Sequence, residues 1–166
     1  MGDETVQGPI EGRAPVSAAD RAEARVVYRL ATEHFLRSAR ELSDQAGGNL
    51  FKGLALRAIV AANIGHIDQQ SENAVRYAAM SQPPSSDLLR PVSVLAIAGS
   101  LGLPYETTRR YVAALMKEGA CMRVKGGIVA SPTTLAGPEA EQAMLANLVN
   151  LRRFVRALRR AGIALD

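Results

Sequence analysis

The sequence predicts a mainly helical fold that contains one small β-hairpin. Its 166 residues are 48% hydrophobic, enough for a packed core in one domain with appended helices. Aromatic residues make up 4% and Trp is absent, so Leu, Val, Ile and Ala must fill the core. Two short runs on either side of Lys125–Gly127 are the β-prone segments that stand out. Helices are expected across most of the remaining chain.

The N-terminal part is expected to hold a tail and one long helix. Residues 1–16 combine Gly, Pro and scattered charges, which is typical of a disordered tail. Ser17 or Asp20 can cap a helix that runs to about Gln45, with apolar residues at three- and four-residue spacing along one face. Gly47 and Gly48 end it.

A second helix is expected to begin at Leu50, with Asn49 as its cap. It is apolar on most sides, which predicts a central position, and it either breaks near Gly65 or continues to Met80 before the 83–86 linker. Its apolar stretch is too short and too polar to cross a bilayer, because it is interrupted by Lys52, Arg57, Asn63 and His66.

Residues 92–118 have the pattern of two helices that cross at a tight turn. Gly102 supplies the turn, Leu103 fills the space between the helices, and Pro104 suits the start of the second. The first helix is expected to face inward through Leu95, Ala96 and Leu101. The second, at about 105–118, is expected to bury Thr108, Val112 and Leu115.

The other sides of that second helix carry polar residues at its N-terminal end: Tyr105, Glu106, Thr107, Arg109 and Arg110. A recognition helix inserts this end into the major groove, where Arg can bridge a guanine edge and Thr or Tyr can contact a base or a phosphate. Glu106 repels phosphates, but it can accept from a cytosine amino group or orient a neighbouring arginine.

A hairpin follows at 120–131, because two β-prone runs meet at Lys125–Gly126–Gly127. Arg123 and Lys125 near its tip are candidates for phosphate or minor-groove contact, and Lys117 completes the set of candidate DNA contacts. Cys121 lies in an apolar run without a second cysteine, which favours a buried structural thiol over a redox sensor.

The run Ile97-Ala-x-x-Leu-Gly-Leu-Pro-x-x-Thr-Thr-Arg-Arg-x-Val-x-x-Leu-x-x-x-Gly119 resembles the helix–turn–helix of bacterial winged-helix repressors, including the GntR and MarR families. The helices on both sides of it are more similar to the MarR arrangement, in which the outer helices form a homodimer. The resemblance implies a winged-helix fold and a dimeric, cytoplasmic DNA-binding regulator. The hairpin lacks the Asp-Arg-rich pattern of MarR proteins, so only the superfamily is implied.

Four segments follow from these expectations. Residues 1–16 form the tail, 17–82 an N-terminal helical region for dimerisation or scaffolding, and 88–135 the winged helix–turn–helix domain. Residues 138–162 hold a C-terminal helix that packs on the N-terminal helices or on a partner subunit. Its heptad-like seam consists of Met144, Leu148, Leu151, Val155 and Leu158.

The charge is distributed unevenly along the chain. Residues 1–89 contain 9 Lys and Arg against 11 Asp and Glu, whereas residues 90–166 contain 11 against 5. The basic excess therefore accompanies the helix–turn–helix pattern, as a polyanion-binding surface requires. For the arginines between 152 and 160, a solvated outer helix face is the favoured interpretation and phosphate contact the alternative.

Chemistry at a catalytic or metal site is not indicated. We find no paired nucleophile and base, no phosphate-cradling loop and no paired carboxylates, so no enzyme activity and no cofactor are expected. His34 and His66 lack ligand spacing, so no metal site is expected either. The single cysteine and the lack of an apolar signal segment indicate a cytoplasmic protein that does not enter a membrane.

The predicted function is sequence-specific binding of double-stranded DNA by a transcriptional regulator, as a homodimer. The alternative is a winged helix that serves as a protein–protein interaction module without specific DNA binding. A small-molecule effector pocket between the first two helices and the helix–turn–helix is compatible with the apolar 50–67 segment and would extend the first prediction.

Overall fold

The protein is mainly helical, with one small antiparallel hairpin, in the computed structural model, which describes residues 17–67 and 83–164. The helices are α1 (Ala18–Gln45), α2 (Leu50–Ile64), α3 (Val94–Leu101), α4 (Tyr105–Lys117), α5 (Pro132–Ala136) and α6 (Pro138–Arg160). A single 3₁₀ turn covers Ser86–Leu88. The hairpin consists of β1 (Cys121–Val124) and β2 (Gly127–Ala130).

Polar caps fix where four of these helices begin. Ser17 forms a capping box with Asp20 at the start of α1, and the side chain of Asn49 accepts from the Lys52 N–H at the start of α2. Ser93 and Ser131 cap α3 and α5 in the same way. The predicted starts of α1 and α2 and the end of α1 near Gln45 are confirmed.

Helices α1 and α6 form an antiparallel pair. The ring of His34 stacks on Phe154 with centroids 4.9 Å apart. The buried Asn150 accepts from Arg37 Nε at 2.9 Å and donates from Nδ2 to Ser38 Oγ at 2.8 Å and to the His34 carbonyl at 3.4 Å. Because residue 34 meets residue 154 while residue 38 meets residue 150, the helices run in opposite directions. The C-terminal helix thus packs on the N-terminal one.

Helix α2 is central, as its apolar composition predicts. It contacts α1 on one side and α3, α4 and β2 on the other. The residues that form this core come from α2 and the elements around it: Ala55, Ile59, Val94, Ile97, Val112, Leu115, Cys121, Ile128, Ala130 and Leu135. Although the sequence groups α2 with the N-terminal region, α2 shares one core with residues 94–135.

The inner face of α3 differs from the expected one. Val94, Ile97 and Ala98 are buried, whereas Leu95 is 68% exposed and Ala96 is exposed. The buried residues share one face, since they recur after three and four residues, and this face packs on the core that α2 and α4 supply. Leu101, also expected inside, packs half-buried against the core, and Thr108, Val112 and Leu115 of α4 are buried as predicted.

A short helix, α5, connects the hairpin to α6, and it was not predicted from the sequence. Pro132 begins α5 and Pro138 begins α6. Proline is tolerated in the first turn of a helix because an N–H there would have no partner within the helix. Leu135 of α5 is buried in the core. Helix α5 was therefore missed, while α6 is confirmed within a residue or two of its predicted bounds.

The seam predicted for α6 is not the face that packs on α1. Of its members Leu158 is buried, but Met144, Leu148 and Leu151 are exposed. The buried face of α6 carries Ala143, Asn150 and Leu158. Ala143 and Asn150 are smaller than leucine, and the amide of Asn150 finds polar partners on α1.

Two expectations lie outside the described residues. These are the disordered tail at 1–16 and the course of the chain at 68–82. Within the described part α2 ends at Ile64, with a turn at Gly65, so the continuation to Met80 as one unbroken helix is wrong.

Candidate nucleic-acid interface

The turn before α4 depends on a glycine. Gly102 has φ +62°, in the left-handed region that favours glycine, and its N–H reaches the carbonyls of Ala98 and Gly99. The Leu103 N–H also donates to Ala98 O at 3.1 Å. The chain therefore leaves α3 sharply and starts α4 a few residues later, so residues 94–117 are two helices, as expected.

Helix α4 has one buried face and one polar face. The hydroxyl of the fully buried Thr108 donates to Pro104 O at 3.2 Å, and Val112 and Leu115 lie in the core. The opposite sides expose Tyr105, Glu106, Arg109 and Arg110, while Thr107 is half-buried. The structure thus brings five of the eight candidate contacts together on the first two turns of α4.

Glu106 binds its neighbour Arg109. Arg109 Nε lies 2.9 and 3.1 Å from the two oxygens of Glu106, with side chains 55% and 64% exposed. An exposed pair at this spacing stabilises a helix by less than about 1 kcal/mol, so another ligand can replace it at small cost. In the described part of the chain no carboxylate lies within 4 Å of Arg110, which leaves it as the free cation of this surface.

The hairpin extends from the end of α4 with basic side chains near its tip. Cys121 pairs with Ala130 and Val124 with Gly127, so Lys125 and Gly126 form the predicted tight turn. Arg123 and Lys125 are exposed, as are Met122 and Val124 of the same hairpin. Helix α4 packs against β1, which places the basic strand beside the exposed polar residues of this helix.

Lys117 lies apart from the other candidates. It is exposed in the last turn of α4, about 18 Å along the helix from Tyr105. Its neighbour Glu118 reaches Lys52 Nζ of α2 at 2.7 Å. This end of α4 is therefore tied to α2, and Lys117 does not join the N-terminal group.

Asn63 braces the hairpin and was not identified from the sequence. Its side chain is fully buried on α2 and makes three hydrogen bonds to backbone groups. Nδ2 donates to Arg90 O at 2.7 Å and Ile128 O at 3.2 Å, and Oδ1 accepts from Ala130 N at 2.8 Å. One side chain thus connects α2, the chain before α3, and β2.

Val92 occupies the remaining edge of β2. Its N–H donates to Ile128 O at 3.0 Å, and the Ile128 N–H donates back to Val92 O at 2.8 Å. Gly127 makes this approach feasible, since a Cβ there would lie 2.5 Å from Val92 O. Val92 and Asn63 together satisfy the N–H and carbonyl of Ile128 and the N–H of Ala130, which β2 turns away from β1.

Cys121 is buried at the base of the hairpin, as predicted. It is 2% exposed, and burial raises the pKa of its thiol to about 11. Its Sγ lies 4.0 Å from Val112 O. The thiol therefore stays protonated near neutral pH and packs as an apolar group.

Two grooves lie away from α3 and α4. One of about 600 Å³ runs between α1 and α6, lined by Arg37, Glu41, Pro138, Glu141, Gln142, Leu145, Ala146, Val149, Asn150 and Arg153. A smaller one of about 220 Å³ lies between α1, α2 and α6. Neither borders the helix–turn–helix, so the pocket expected between it and the first two helices is not found at either place.

Within residues 17–67 and 83–164, no group of three or more His, Cys, Asp or Glu residues is arranged to hold a metal ion. His34 packs against Phe154 instead. None of the described helices combines the length and the apolar character needed to span a bilayer.

Comparisons with known proteins found no relative: no family model matches the chain, and neither the curated proteins nor the solved structures contain a match. The resemblance to winged-helix repressors therefore rests on the residues between Ile97 and Gly119 alone. Any function of the chain must be inferred from the geometry of α4 and the hairpin.

Proposed function

We propose that this chain is a winged-helix transcriptional regulator that binds double-stranded DNA by placing α4 in the major groove. One observation carries the proposal. The first two turns of α4 present Tyr105, Glu106, Arg109 and Arg110 to solvent, while the opposite face is locked into the core by Thr108, Val112 and Leu115. A rigid helix with exposed arginines at its N-terminal end is what base reading requires.

The order of elements supports a winged helix. A core helix (α2) is followed by a single strand residue at Val92, the two helices α3 and α4, and then the hairpin. Val92, β2 and β1 lie side by side, so the hairpin is held as the outer part of a small sheet. In the proposed complex this hairpin is the wing.

Arg109 and Arg110 are the proposed base-reading residues. A guanidinium can donate two hydrogen bonds to the O6 and N7 atoms of guanine. Glu106 already holds Arg109 from the same helix face, and Tyr105 and Thr107 flank the pair. Arg123 and Lys125 of the wing would neutralise phosphates beside the groove, which gives affinity that depends on salt.

We further propose a homodimer that pairs through α1 and α6. Both helices bury one face against each other and still expose large apolar side chains, among them Tyr28 and Phe35 of α1 and Met144 and Leu151 of α6. Exposed apolar surface of this extent is typical of an interface. A two-fold dimer predicts a palindromic operator with half-sites about one helical turn apart.

The groove between α1 and α6 is the proposed place for a small-molecule effector.

The second candidate function is a winged helix that binds a protein. The bond between Glu106 and Arg109 favours it, because it cancels one positive charge on the surface that would face phosphates. Exposed Leu95, Tyr105 and Met122 would supply apolar contact in such a complex. It requires no specific DNA affinity, which separates the two functions by experiment.

Selection of bound sequences from random duplex DNA, repeated at two salt concentrations, tests the proposal. We expect a palindromic sequence at both concentrations. Replacing Arg109 and Arg110 with Ala should then weaken binding to that sequence by about 100-fold, since each bidentate contact contributes about 1–3 kcal/mol. The control replaces Arg29 and Arg40, two exposed arginines of α1, and should leave affinity unchanged. Recovery of no sequence, or equal affinity of both variants, contradicts the proposal.

A further inference from the structure

Helix α6 carries an arginine ladder, which we define as Arg152, Arg153, Arg156, Arg159 and Arg160. All five residues are exposed. Arg152 and Arg156 follow the buried Asn150 by two and six residues, which places them on the side of α6 that faces away from α1. Arg153 instead borders the groove between α1 and α6. The ladder is therefore a basic stripe that runs from the rim of this groove onto the outer surface of the α1–α6 pair.

Among the described residues the ladder lacks acidic partners, whereas three arginines of α1 have them. Arg29 and Arg37 lie within 4.0 Å of Glu33, and Arg40 lies 3.9 Å from Asp44. In the part of the chain that the structure describes, no carboxylate comes within 4.0 Å of any ladder residue. The positions four residues before Arg152 and Arg153 are Leu148 and Val149, so no acid stands at the pairing distance along the helix.

Such a stripe is unfavourable for an isolated helix. Arg152 and Arg156, and Arg156 and Arg160, stand four residues apart, where like charges repel. The negative end of the helix dipole compensates for Arg159 and Arg160 in the last turn, but its effect fades before Arg152. A bound polyanion would relieve the repulsion along the whole stripe.

We propose that the arginine ladder is a second DNA-contacting surface, which binds duplex phosphates outside the segment read by α4. This inference rests on the proposed function. Arg152 lies about 21 Å along α6 from Pro138, where the chain arrives from the hairpin and α5. The ladder is thus separated from the hairpin region by much of the length of α6, and its phosphate contacts would add to those made beside α4.

Duplex DNA fits this stripe better than an acidic membrane does. An interfacial membrane helix needs a free apolar face opposite its basic face. In α6 that opposite face packs on α1 through Ala143, Asn150 and Leu158. The apolar side chains of Leu148 and Val149, which α6 exposes next to the ladder, precede it along the helix and do not lie opposite to it. The row of guanidiniums matches the regular line of charges along a nucleic-acid backbone.

The test is the salt dependence of binding to a fluorescein-labelled mixed-sequence duplex of about 40 base pairs, measured by anisotropy between about 50 and 200 mM KCl. The ladder variant carries Arg152→Gln, Arg153→Gln and Arg156→Gln. The control variant carries Arg29→Gln, Arg40→Gln and Arg57→Gln, three exposed arginines that have carboxylate or amide partners. Both lose three charges, so a general effect of net charge would affect them equally.

We expect the ladder variant to lower the slope of log affinity against log salt by about 2–3 for each bound subunit, since each phosphate contact contributes about 0.9. The control should change it by less than about 1. Equal slopes for the two variants would overturn the inference. A second outcome would also overturn it: the wild type binds phosphatidylserine vesicles and the ladder variant does not, while both bind DNA with the same salt dependence.

The Arg109→Ala, Arg110→Ala variant separates this inference from the proposed function. If it loses the selected sequence while the ladder variant keeps the wild-type slope, α4 reads DNA and the ladder does not contact it. If the ladder variant loses slope while Arg109 and Arg110 prove dispensable, the ladder binds DNA and the role proposed for α4 is wrong. The two proposals therefore fail independently.

Discussion

Two buried asparagines hold the two regions of this molecule together in different ways. Asn63 lies between α2 and the hairpin, and all its described partners are backbone groups. Asn150 lies between α6 and α1, and two of its three partners are the side chains of Arg37 and Ser38. Both asparagines are at most 3% exposed.

The difference concerns what each asparagine leaves behind when it is removed. Backbone groups of Ile128 and Ala130 are fixed in the interior and cannot turn to water. The Arg37 side chain is one-third exposed and can be solvated after a rotamer change. The hydrogen bonds of Asn63 thus hold the hairpin in one position relative to α2. The hydrogen bonds between α1 and α6 involve side chains that can exchange Asn150 for water.

Asn63→Ala should destabilise the protein more than any of the other substitutions considered below. Three hydrogen bonds are lost and Ala130 N–H is left buried, so we expect the free energy of unfolding to fall by about 3 kcal/mol in urea denaturation. Asn63→Leu fills the volume without restoring the bonds and should remain similarly destabilised. Recovery of stability with Leu would show that volume, not hydrogen bonding, matters at this position.

Gly127→Ala tests the contact between the hairpin and Val92. The added Cβ would lie 2.5 Å from Val92 O, so the edge strand must move and about 2–3 kcal/mol should be lost. Gly126→Ala is the matched control, because its nearest contact is 3.8 Å away and only backbone strain at φ +98° opposes it. We expect the control to cost about 1–2 kcal/mol. Equal thermal denaturation of both variants would mean that Val92 does not fix the hairpin.

Ionisation of Cys121 tests whether the interior at the base of the hairpin disfavours a buried negative charge. Its pKa rises to about 11 from an ordinary 9.0, so the native state resists thiolate formation. The corresponding stability is fully present below pH 9 and is lost as the pH rises towards 11. Relative to Cys121→Ala, wild type should lose about 2 kcal/mol across that interval in urea titrations. Parallel pH profiles of the two proteins would contradict burial of the thiol.

Asn150→Leu should have the mildest effect, which sharpens the contrast with Asn63. Arg37 can turn to solvent and the leucine adds apolar contact with α1, so we expect a change of less than about 1 kcal/mol in either direction. Chemical denaturation beside Asn63→Leu makes the comparison direct. A loss as large as that of Asn63→Leu would show that the α1–α6 pair is as fixed as the hairpin.

Local signals explain which elements could be predicted. The caps at Ser17 and Asn49, the glycine at 102 and the Gly-Gly turn of the hairpin act within a few residues, so they can be read directly from the sequence. The buried face of α4 also follows from spacing alone. The inner face of α3 does not, because an eight-residue helix of mostly apolar residues has no clear polar side.

Non-local contacts explain what was missed. Asn63 looks like an interruption of an apolar helix, and its partners on β2 lie 65 and 67 residues further along the chain. The seam of α6 matches a heptad, yet α1 selects the neighbouring face through Asn150. The candidate contacts on α4 could be proposed from the sequence, whereas the brace that fixes the hairpin beside them depends on tertiary structure.

Helices α1 and α2 approach each other very closely at Gly53. A Cβ at this position would lie 2.5 Å from the Leu42 carbonyl oxygen, so the two helix backbones touch there. Helix α2 is held to α1 at this end and to the hairpin by Asn63 near the other, about 15 Å away. In the dimer proposed on α1 and α6, this stiff link would fix the distance between the two copies of α4. If the protein binds DNA as proposed, it would tolerate little variation in the number of base pairs that separate its half-sites.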